Sequence, residues 1–235
     1  NAHVADMFYE SRPGEFWAMI NAGNQTWRVD KVYYHPGVRR FPTPDMQLWV
    51  RAANHKVGEV NPAGPDLAIL QLSMEGPDLP VELRMAPPQT VFDLQTLPAA
   101  IMGYPGHDTK WPEPGKKALA TFHEGVISRV TDYNLEESAD DASQMLQYTM
   151  QTFGGFSGSP IFLSNGEIVG VHCMSRPFGK KDPRRIAHGV RVDALWELLT
   201  HHKLTDKVAS PLPPDKLSLR RYQVPYVVVG GFSFY

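Results

Sequence analysis

The sequence predicts an all-β protein made of two antiparallel barrels. Short runs rich in β-branched and aromatic residues recur along the chain, and Pro, Gly, Asn and Asp separate them, which is the pattern of strands joined by turns. This pattern fills the first half and is repeated in the second half. With 235 residues, of which 42% are hydrophobic, the chain can fill one large all-β domain or two small ones. The repetition favours two barrels over one.

The first half, residues 1–87, is predicted to form the first barrel. A short helix-compatible segment over residues 1–10 comes before the first strand. A turn sequence over residues 21–24 then joins that strand to the second. The third strand begins with Asp66 and is apolar beyond it, which predicts a buried strand with a carboxylate at its mouth. The three predicted strands are Phe16–Ile20, Thr26–Tyr34 and Asp66–Leu72.

The second half, residues 88–203, is predicted to form the second barrel and a closing helix. Arg176 to Arg185 is interpreted as a basic loop, and Asp193 as the cap of a helix that runs to about His202. Residues 204–216 are a proline-rich linker and residues 217–235 a β-rich tail. The predicted strands are Ala99–Gly106, Ala118–Phe122, Gly125–Val130, Met145–Met150, Ile161–Phe162, Ile168–His172 and Val190–Val192.

Composition argues against several classes of partner. The net charge of −2 indicates neither a nucleic acid nor an anionic membrane as a partner, and no apolar run approaches the roughly 20 residues of a membrane span. Cys173 stands alone, so an intrachain disulfide is impossible, and we expect a buried, inert thiol there. We expect no metal or cofactor, because HExxH, CxxC and GK[ST] spacings are all missing. The compartment and the oligomeric state stay open.

The stretch Phe153–Pro160 is predicted to be a nucleophile loop. A serine attacks a carbonyl only if its Oγ is exposed, and the resulting oxyanion needs backbone N–H donors about 3 Å away. Glycines permit that approach, and Ser157 has Gly155 before it and Gly158 after it. An ordinary Gly/Ser turn is the alternative interpretation of the loop alone.

His3 and Asp66 are the candidate base and orienting acid for this serine. In the order His, Asp, Ser, these residues and the Gly155–Pro160 segment resemble the trypsin-like, chymotrypsin-fold serine protease family. The HtrA/Deg-type and glutamyl endopeptidase branches, which are poor in disulfides, are the most similar. The resemblance covers residues 1 to about 200 and implies two six-stranded antiparallel barrels with a short C-terminal helix.

The resemblance also implies the role of each residue in peptide hydrolysis. Ser157 attacks the scissile carbonyl, His3 transfers the proton and Asp66 holds the imidazole. The N–H groups of Gly155 and Ser157 form the oxyanion hole, and the substrates are proteins or peptides. Ser159 is the rival nucleophile, but the family pattern places the nucleophile at Ser157.

Substrate specificity is suggested by His172 and by Thr152, which lies five residues before the serine. In glutamyl endopeptidases, a histidine and a threonine at the matching places bind a carboxylate. The resemblance therefore implies a preference for Glu or Asp before the cleaved bond, supported by the basic residues from Arg176 onward. Another preference, or a structural His172, is the alternative.

Two features depart from the family pattern. Phe156 stands where this fold usually has Asp or Asn, so it cannot receive a freed amine, and it either packs into the core or distorts the loop. The two strands that precede the histidine in this fold are missing before Asn1, and the tail is interpreted as supplying one of them or as the start of another domain. If these features disorder the triad, the alternative function is an impaired pseudoprotease that binds peptides.

Overall fold

The computed structural model describes twelve segments of the chain, and all structural statements concern these residues. They are residues 1–5, 17–20, 25–37, 64–73, 83–88, 91, 93–105, 120–133, 135–139, 143–179, 182–208 and 227–229. Predictions for residues 6–16, 21–24, 106–119, 209–226 and 230–235 lie outside the described residues.

Ten strands and two α-helices occupy the described segments. The strands are β1 (Trp17–Ile20), β2 (Gln25–Tyr34), β3 (Ala68–Leu72), β4 (Pro98–Gly103), β5 (Thr121–Thr131), β6 (Met145–Tyr148), β7 (Pro160–Leu163), β8 (Ile168–Gly179), β9 (Asp182–Arg191) and β10 (Val227–Val229). The helices are α1 (Ala2–Ala5) and α2 (Val192–His201), and a 3₁₀ turn spans Thr205–Lys207.

Strands β4 to β9 close into a six-stranded antiparallel barrel in the order β4-β5-β6-β9-β8-β7. Alternation along β4 buries Ala99 and Ile101, which face the interior as a half-buried strand requires. Ile127, Leu146, Ile161 and other apolar residues fill the same core. The predicted second barrel is therefore confirmed in its all-β, closed form.

The first half contributes a four-stranded antiparallel sheet in the order β10-β1-β2-β3. The predicted pairing of the first two strands is confirmed, with Trp17 opposite Arg28 and Ile20 opposite Gln25. The tail segment β10 pairs with the other edge of β1, with Ala18 opposite Val229. Closure of this sheet into a barrel depends on residues outside the described segments and stays a prediction.

One long strand replaces two predicted strands in the second half. The runs Ala118–Phe122 and Gly125–Val130 were expected to be separate, but β5 continues through both from Thr121 to Thr131. The polar residues between them, His123 and Glu124, pair with β4 like their neighbours. Polarity alone therefore does not mark a turn here.

The predicted basic loop from Arg176 to Arg185 is wrong for most of its length. Strand β8 extends to Gly179 and β9 begins at Asp182, so Arg176 and Arg185 lie on the paired strands of a long hairpin. Arg176 is paired with Ile186, and Pro177 with Arg185. A register shift after Pro177 accommodates the proline, which cannot donate to a ladder.

The predicted helix near the end of the second half is confirmed, but its predicted cap is wrong. Helix α2 begins at Val192, and Arg191 occupies the N-cap position without a side-chain capping bond. Asp193 lies inside the first turn. Its carboxylate accepts hydrogen bonds from the Arg191 guanidinium at 2.9 and 2.8 Å, so it is already paired. An acidic side chain in this turn still complements the helix dipole.

Helix α2 joins the two halves of the molecule. Leu67, next to Asp66, packs in one apolar cluster with Ala194 and Leu198 of the helix. His35, beyond the end of β2, lies 3.2 Å from the Glu197 carboxylate. These contacts place Asp66 against the second barrel. No helix among the described residues is long and apolar enough to cross a membrane.

Candidate active site

His3 and Asp66 form a tightly bonded pair. The Nδ1 atom of His3 lies 2.6 Å from Asp66 Oδ2, and the His3 main-chain N–H donates to Oδ1 at 3.0 Å. The Asp66 side chain is 2% exposed, whereas that of His3 is 25% exposed. The carboxylate therefore holds both the ring and the backbone of the histidine, and the ring stays partly exposed.

Helix α1 presents His3 to Asp66. Its Ala2, Val4 and Ala5 side chains are buried, so the helix is anchored by small apolar residues on either side of the histidine. Asn1 Nδ2 adds a hydrogen bond of 3.0 Å to the Asp66 carbonyl. The helix is thus held to the start of the third strand at several points.

The pKa of Asp66 reflects this pairing. Burial of the carboxyl acts to raise the pKa, but the His3 imidazole and its hydrogen bonds outweigh burial and hold the pKa below its usual value. Asp66 is consequently a carboxylate at neutral pH.

The serine loop consists of two consecutive tight turns. Phe156 N–H donates to the Phe153 carbonyl at 3.2 Å, and Ser159 N–H donates to the Phe156 carbonyl at 2.9 Å. Gly155 and Gly158 occupy the third positions of these turns with φ of 99° and 90°. This is the pattern of type II turns, which require glycine at that position.

The two turns leave the N–H groups of Gly155 and Ser157 uncommitted. Neither group serves in a turn hydrogen bond, and within the described segments neither donates to another backbone carbonyl. Ser157 itself is partly exposed at the corner between the turns. A glycine at each third position therefore produces a serine with two nearby backbone donors.

Two other side chains of the loop, Phe156 and Ser159, point into the protein. Phe156 is fully buried, so of the two predicted outcomes it takes the core-packing one. Ser159 is also buried, and its Oγ lies so close to Gly103 that a Cβ there would be 2.2 Å away. The geometry therefore favours Ser157 over Ser159 as the accessible hydroxyl.

The serine loop is fixed to β8 and lies against helix α1. Gly158 N–H donates to the His172 carbonyl at 3.0 Å, and His172 N–H donates to the Ser159 carbonyl at 2.8 Å. On the other side, a Cβ on Gly158 would lie 3.7 Å from atoms of Asn1. The fold thus brings the segment that carries His3 next to the loop that carries Ser157.

The predicted specificity residues both lie beside this loop. The hydroxyls of Thr152 and Ser175 hydrogen-bond each other, and Thr152 is buried. The carbonyl of Ser175 accepts a 2.7 Å hydrogen bond from Arg185, whose side chain is exposed. Thr152 is therefore tied to the same strand, β8, that carries His172.

His172 is held as a neutral imidazole. It is 2% exposed, and its Nδ1 hydrogen-bonds the Tyr148 hydroxyl, which also donates to the His188 carbonyl at 3.2 Å. Burial, together with the nearby charge of His3, lowers the pKa of His172 to about 3.

Sequence reasoning missed Tyr148 and Ser175. A tyrosine in an otherwise buried strand needs a partner for its hydroxyl, and that rule could have identified Tyr148. Ser175 could not be placed from alternation, because a register shift between His172 and Met174 changes which residues of β8 share a face.

Cys173 is a buried thiol, as expected. Its Sγ donates to the His188 carbonyl at 3.5 Å, and burial raises its pKa well above the ordinary value. Among the described residues, no group of three or more His, Cys, Asp or Glu side chains could hold a metal ion.

Comparison with known proteins identifies the family. The model of the trypsin-like peptidase domain matches residues 1–171. Comparison with curated proteins gives no match. The chain therefore belongs to the trypsin-like peptidase family.

Two solved structures illustrate the similarity in fold. A Glu endopeptidase in complex with MPD is 20% identical, with a TM-score of 0.45, and the match covers 77% of this chain and 66% of that chain. An inactive mutant form of Rv3671c from M. tuberculosis H37Rv is 15% identical, with a TM-score of 0.44 and coverage of 80% of this chain and 71% of that chain. The chain thus spans slightly less than two thirds of the first structure.

Proposed function

We propose that the protein is a serine endopeptidase that hydrolyses peptide bonds in protein substrates. The observation that carries this proposal is the His3–Asp66 pair, joined at 2.6 Å on a segment that lies against a glycine-flanked, partly exposed serine. A buried carboxylate, a partly exposed imidazole and a serine hydroxyl are the three groups that acyl transfer requires.

The proposed reaction has two stages. Ser157 Oγ attacks the scissile carbonyl while His3 accepts the serine proton, and His3 then donates that proton to the leaving amine as the C–N bond breaks. Water hydrolyses the resulting acyl-enzyme through the same groups in reverse. Asp66, as a carboxylate, holds the His3 tautomer that can accept the proton and stabilises the imidazolium that forms.

The N–H groups of Gly155 and Ser157 are the proposed oxyanion hole. They are adjacent to the attacking hydroxyl and are used in neither turn, so they are available to the developing negative charge. Loss of one such donor typically raises the activation barrier of acyl transfer by about 3 to 4 kcal/mol.

The subsite before the cleaved bond is proposed to lie around Thr152 and His172. These residues offer hydroxyl and imidazole groups, and the Arg185 guanidinium at the Ser175 carbonyl adds positive potential at the rim. Such groups suit a side chain that ends in a carboxyl or a carboxamide. The narrower preference for Glu or Asp stays a prediction.

The two-barrel architecture and the domain boundaries are part of the proposal. The sheet β10-β1-β2-β3 would be the core of the first barrel, with residues 217–235 contributing a strand through β10. Residues 84–86 already bond to the second barrel, since Ala86 N–H donates to the Ile168 carbonyl at 2.8 Å. The proposed first barrel therefore ends in residues that contact the second barrel, and the boundary at residue 87 stays a proposal.

A fluorophosphonate probe tests the proposed nucleophile. The wild type should be labelled at Ser157, while Ser157→Ala should lose labelling and lose turnover of a denatured protein by about a millionfold. Ser159→Ala is the matched control, because it removes the buried hydroxyl of the same loop and should still be labelled. Equal cleavage by wild type and Ser157→Ala would contradict the proposal. Peptide binding without any labelling would instead indicate the alternative binding module.

A further inference from the structure

His35 lies where the first half of the chain meets helix α2. The residue follows strand β2 and is 6% exposed. Its main-chain N–H donates to the Leu67 carbonyl at 3.1 Å, so it is bonded to the residue next to Asp66. Its ring reaches helix α2, where Nε2 lies 3.2 Å from a carboxylate oxygen of Glu197. His35 therefore contacts both the segment that carries the proposed acid and the helix that follows the second barrel.

The ring of His35 also holds a turn that packs against the start of the third strand. The Gly37 main-chain N–H donates to the ring Nδ1 at 3.0 Å, which fixes the turn formed by residues 35–37. A Cβ on Gly64 would lie 2.3 Å from the Gly37 carbonyl oxygen, and a Cβ on Gly37 would lie 3.1 Å from Pro65 Cδ. Gly64 and Pro65 lead directly into Asp66. A change in the turn therefore displaces the residues that precede the carboxylate.

The two ring contacts fit only one state of His35. A backbone N–H can only donate, so Nδ1 accepts from Gly37 and carries no hydrogen. The hydrogen of the neutral ring is then on Nε2, which donates it to Glu197. A second proton could bind only at Nδ1, where it would face the Gly37 N–H as donor against donor. Protonation of His35 therefore breaks the bond that holds the turn and leaves the bond to helix α2 in place.

The titratable groups that act on this ring lie at one side of it. Among the described residues they are Glu197, His201 and His202 of helix α2 and its C-terminal end, whereas the turn faces the ring with the uncharged Gly37 N–H. Burial lowers the pKa of His35 below its ordinary value. The Glu197 carboxylate opposes this effect, and His201 and His202 add to it. The neutral ring that the turn requires is therefore the state present at neutral pH.

We propose that His35 is a positioning residue for peptide hydrolysis, because its neutral imidazole holds Asp66 in place against His3 and its protonation releases Asp66. The inference rests on the proposed endopeptidase function and adds a second histidine on which turnover depends. Asp66 must meet the His3 ring at 2.6 Å and the His3 main-chain N–H at 3.0 Å, so a small displacement of its segment weakens both bonds. Activity at acid pH then requires two neutral imidazoles, His3 as the base and His35 at the turn.

The pH dependence of kcat/KM tests this role. At pH values below the pKa of both rings, the slope of log kcat/KM against pH should approach about 2 in the wild type, because protonation of either ring stops turnover. His35→Asn keeps an acceptor, Oδ1, for the Gly37 N–H and cannot gain a proton. It should therefore retain kcat within about threefold at pH 7.5, while its acid slope falls to about 1.

His201→Asn is the matched control for this profile. It makes the same chemical change at an exposed histidine of helix α2, so it should keep the slope of the wild type. Equal acid slopes in the wild type and in His35→Asn would overturn the inference.

His35→Phe removes both ring contacts and keeps a ring of similar size. At pH 7.5, kcat should fall about ten- to hundredfold while KM stays within about twofold, because the acid moves relative to its base. The proton of the His3–Asp66 hydrogen bond gives a second readout, since a short, charge-assisted bond deshields its proton strongly. That resonance should move upfield or disappear in His35→Phe. A wild-type kcat or an unshifted resonance would contradict the positioning role, and the His35→Asn profile decides the matter if His35→Phe does not fold.

Nuclear magnetic resonance of the wild type separates the inference from the proposed function. At pH 7.5, the nitrogen shifts of the His35 ring should show an acceptor at Nδ1 and an N–H at Nε2, whether or not a fluorophosphonate labels Ser157. A hydrogen on Nδ1 would overturn the inference even in an active enzyme. Failure of labelling would overturn the endopeptidase function alone, because the spectrum reports the contact between His3 and Asp66 without any turnover.

Discussion

The Asp66 carboxylate uses both of its oxygens on one histidine. Oδ2 bonds the His3 ring, and Oδ1 accepts the His3 main-chain N–H. The second bond orients the backbone of helix α1, so the carboxylate sets the position of the residue as well as the tautomer of its ring. At the scale of single residues, this side chain positions the base of the proposed chemistry.

Asp66→Asn should lower kcat by roughly ten-thousandfold while leaving the fold intact. The amide NH₂ would donate to Nδ1 and leave the hydrogen on the catalytic nitrogen, so His3 could no longer accept the serine proton. Asp30→Asn, the same chemical change at an exposed side chain, is the control and should retain kcat within twofold. Steady-state kinetics on a peptide substrate decide the question, and a kcat within tenfold of wild type in Asp66→Asn would refute the assigned role.

Among the structural elements, the serine loop is built by packing as much as by its own glycines. Gly103 at the end of β4 lies beneath it, and a Cβ there would come within 2.2 Å of Ser159 Oγ and 2.8 Å of Phe156 Cδ1. Phe156 fills the adjacent core and is close to the ring of His123. An apolar anchor therefore holds the turns in place.

Gly103→Ala should destabilise the protein and reduce turnover together. Overpacking of this kind costs about 1 to 3 kcal/mol of unfolding free energy, which lowers Tm by about 2 to 4 °C per kcal/mol for a chain of this size. Adding Ser159→Ala removes the nearest clashing atom and should restore part of both Tm and kcat. Thermal unfolding and peptide kinetics on the single and double variants check this, and a Gly103→Ala protein with wild-type Tm would disprove the tight contact.

Removal of residues 217–235 should lower Tm and activity. Strand β10 covers an edge of β1, and its loss would leave that edge unpaired. A truncation that ends at residue 229 keeps the paired residues and is the matched control. Unchanged Tm and activity in the longer deletion would show that the tail has no part in the first sheet.

At the scale of the whole molecule, the proposed site forms only where the two halves meet. His3 and Asp66 come from the first half, and the serine loop from the second. Leu67 packs against helix α2, and Trp196 of that helix donates to the Ala86 carbonyl at 2.9 Å. The same interior contains neutral histidines, which makes the stability of the assembled molecule depend on pH.

Stability should fall as the pH drops from about 6.5 toward 4. Burial lowers the pKa of His172 to about 3 and that of His188 to about 4, so the unfolded chain binds protons in this window that the folded protein does not. Unfolding free energy therefore rises with pH here, by up to about 1.4 kcal/mol per pH unit for each histidine. Below about pH 4, protonation of Asp66 in the unfolded chain continues the loss, because its folded pKa is depressed.

Denaturant titrations at several pH values measure this dependence. His188→Leu removes one of the two groups and should reduce the slope between pH 4 and 6.5 by up to about 1.4 kcal/mol per pH unit. A slope unchanged by His188→Leu would mean that this histidine is not held neutral in the folded protein.

Much of the fold and of the candidate site could be predicted from local patterns. Alternation and turn residues located the strands that form the barrel, and the glycines around Ser157 identified its loop, because steric rules for turns act within a few residues. The predicted strand boundaries that were wrong depend on pairing with strands that are distant in sequence. β5 continues through His123 and Glu124 because β4 pairs with them. Arg176 is a strand residue because β9 pairs with it, and Arg185 is one because β8 pairs with it.

The sequence by itself therefore determined the all-β class, the family and the candidate nucleophile with its base and acid. Only the tertiary structure decided how His172 is held. The Tyr148 hydroxyl that contacts it is 24 residues away in the chain, and the bulge in β8 that brings Ser175 to Thr152 depends on pairing with β9. The charge state and hydrogen bonds of a buried side chain depend on partners from strands that are distant in sequence, so no local sequence pattern predicts them.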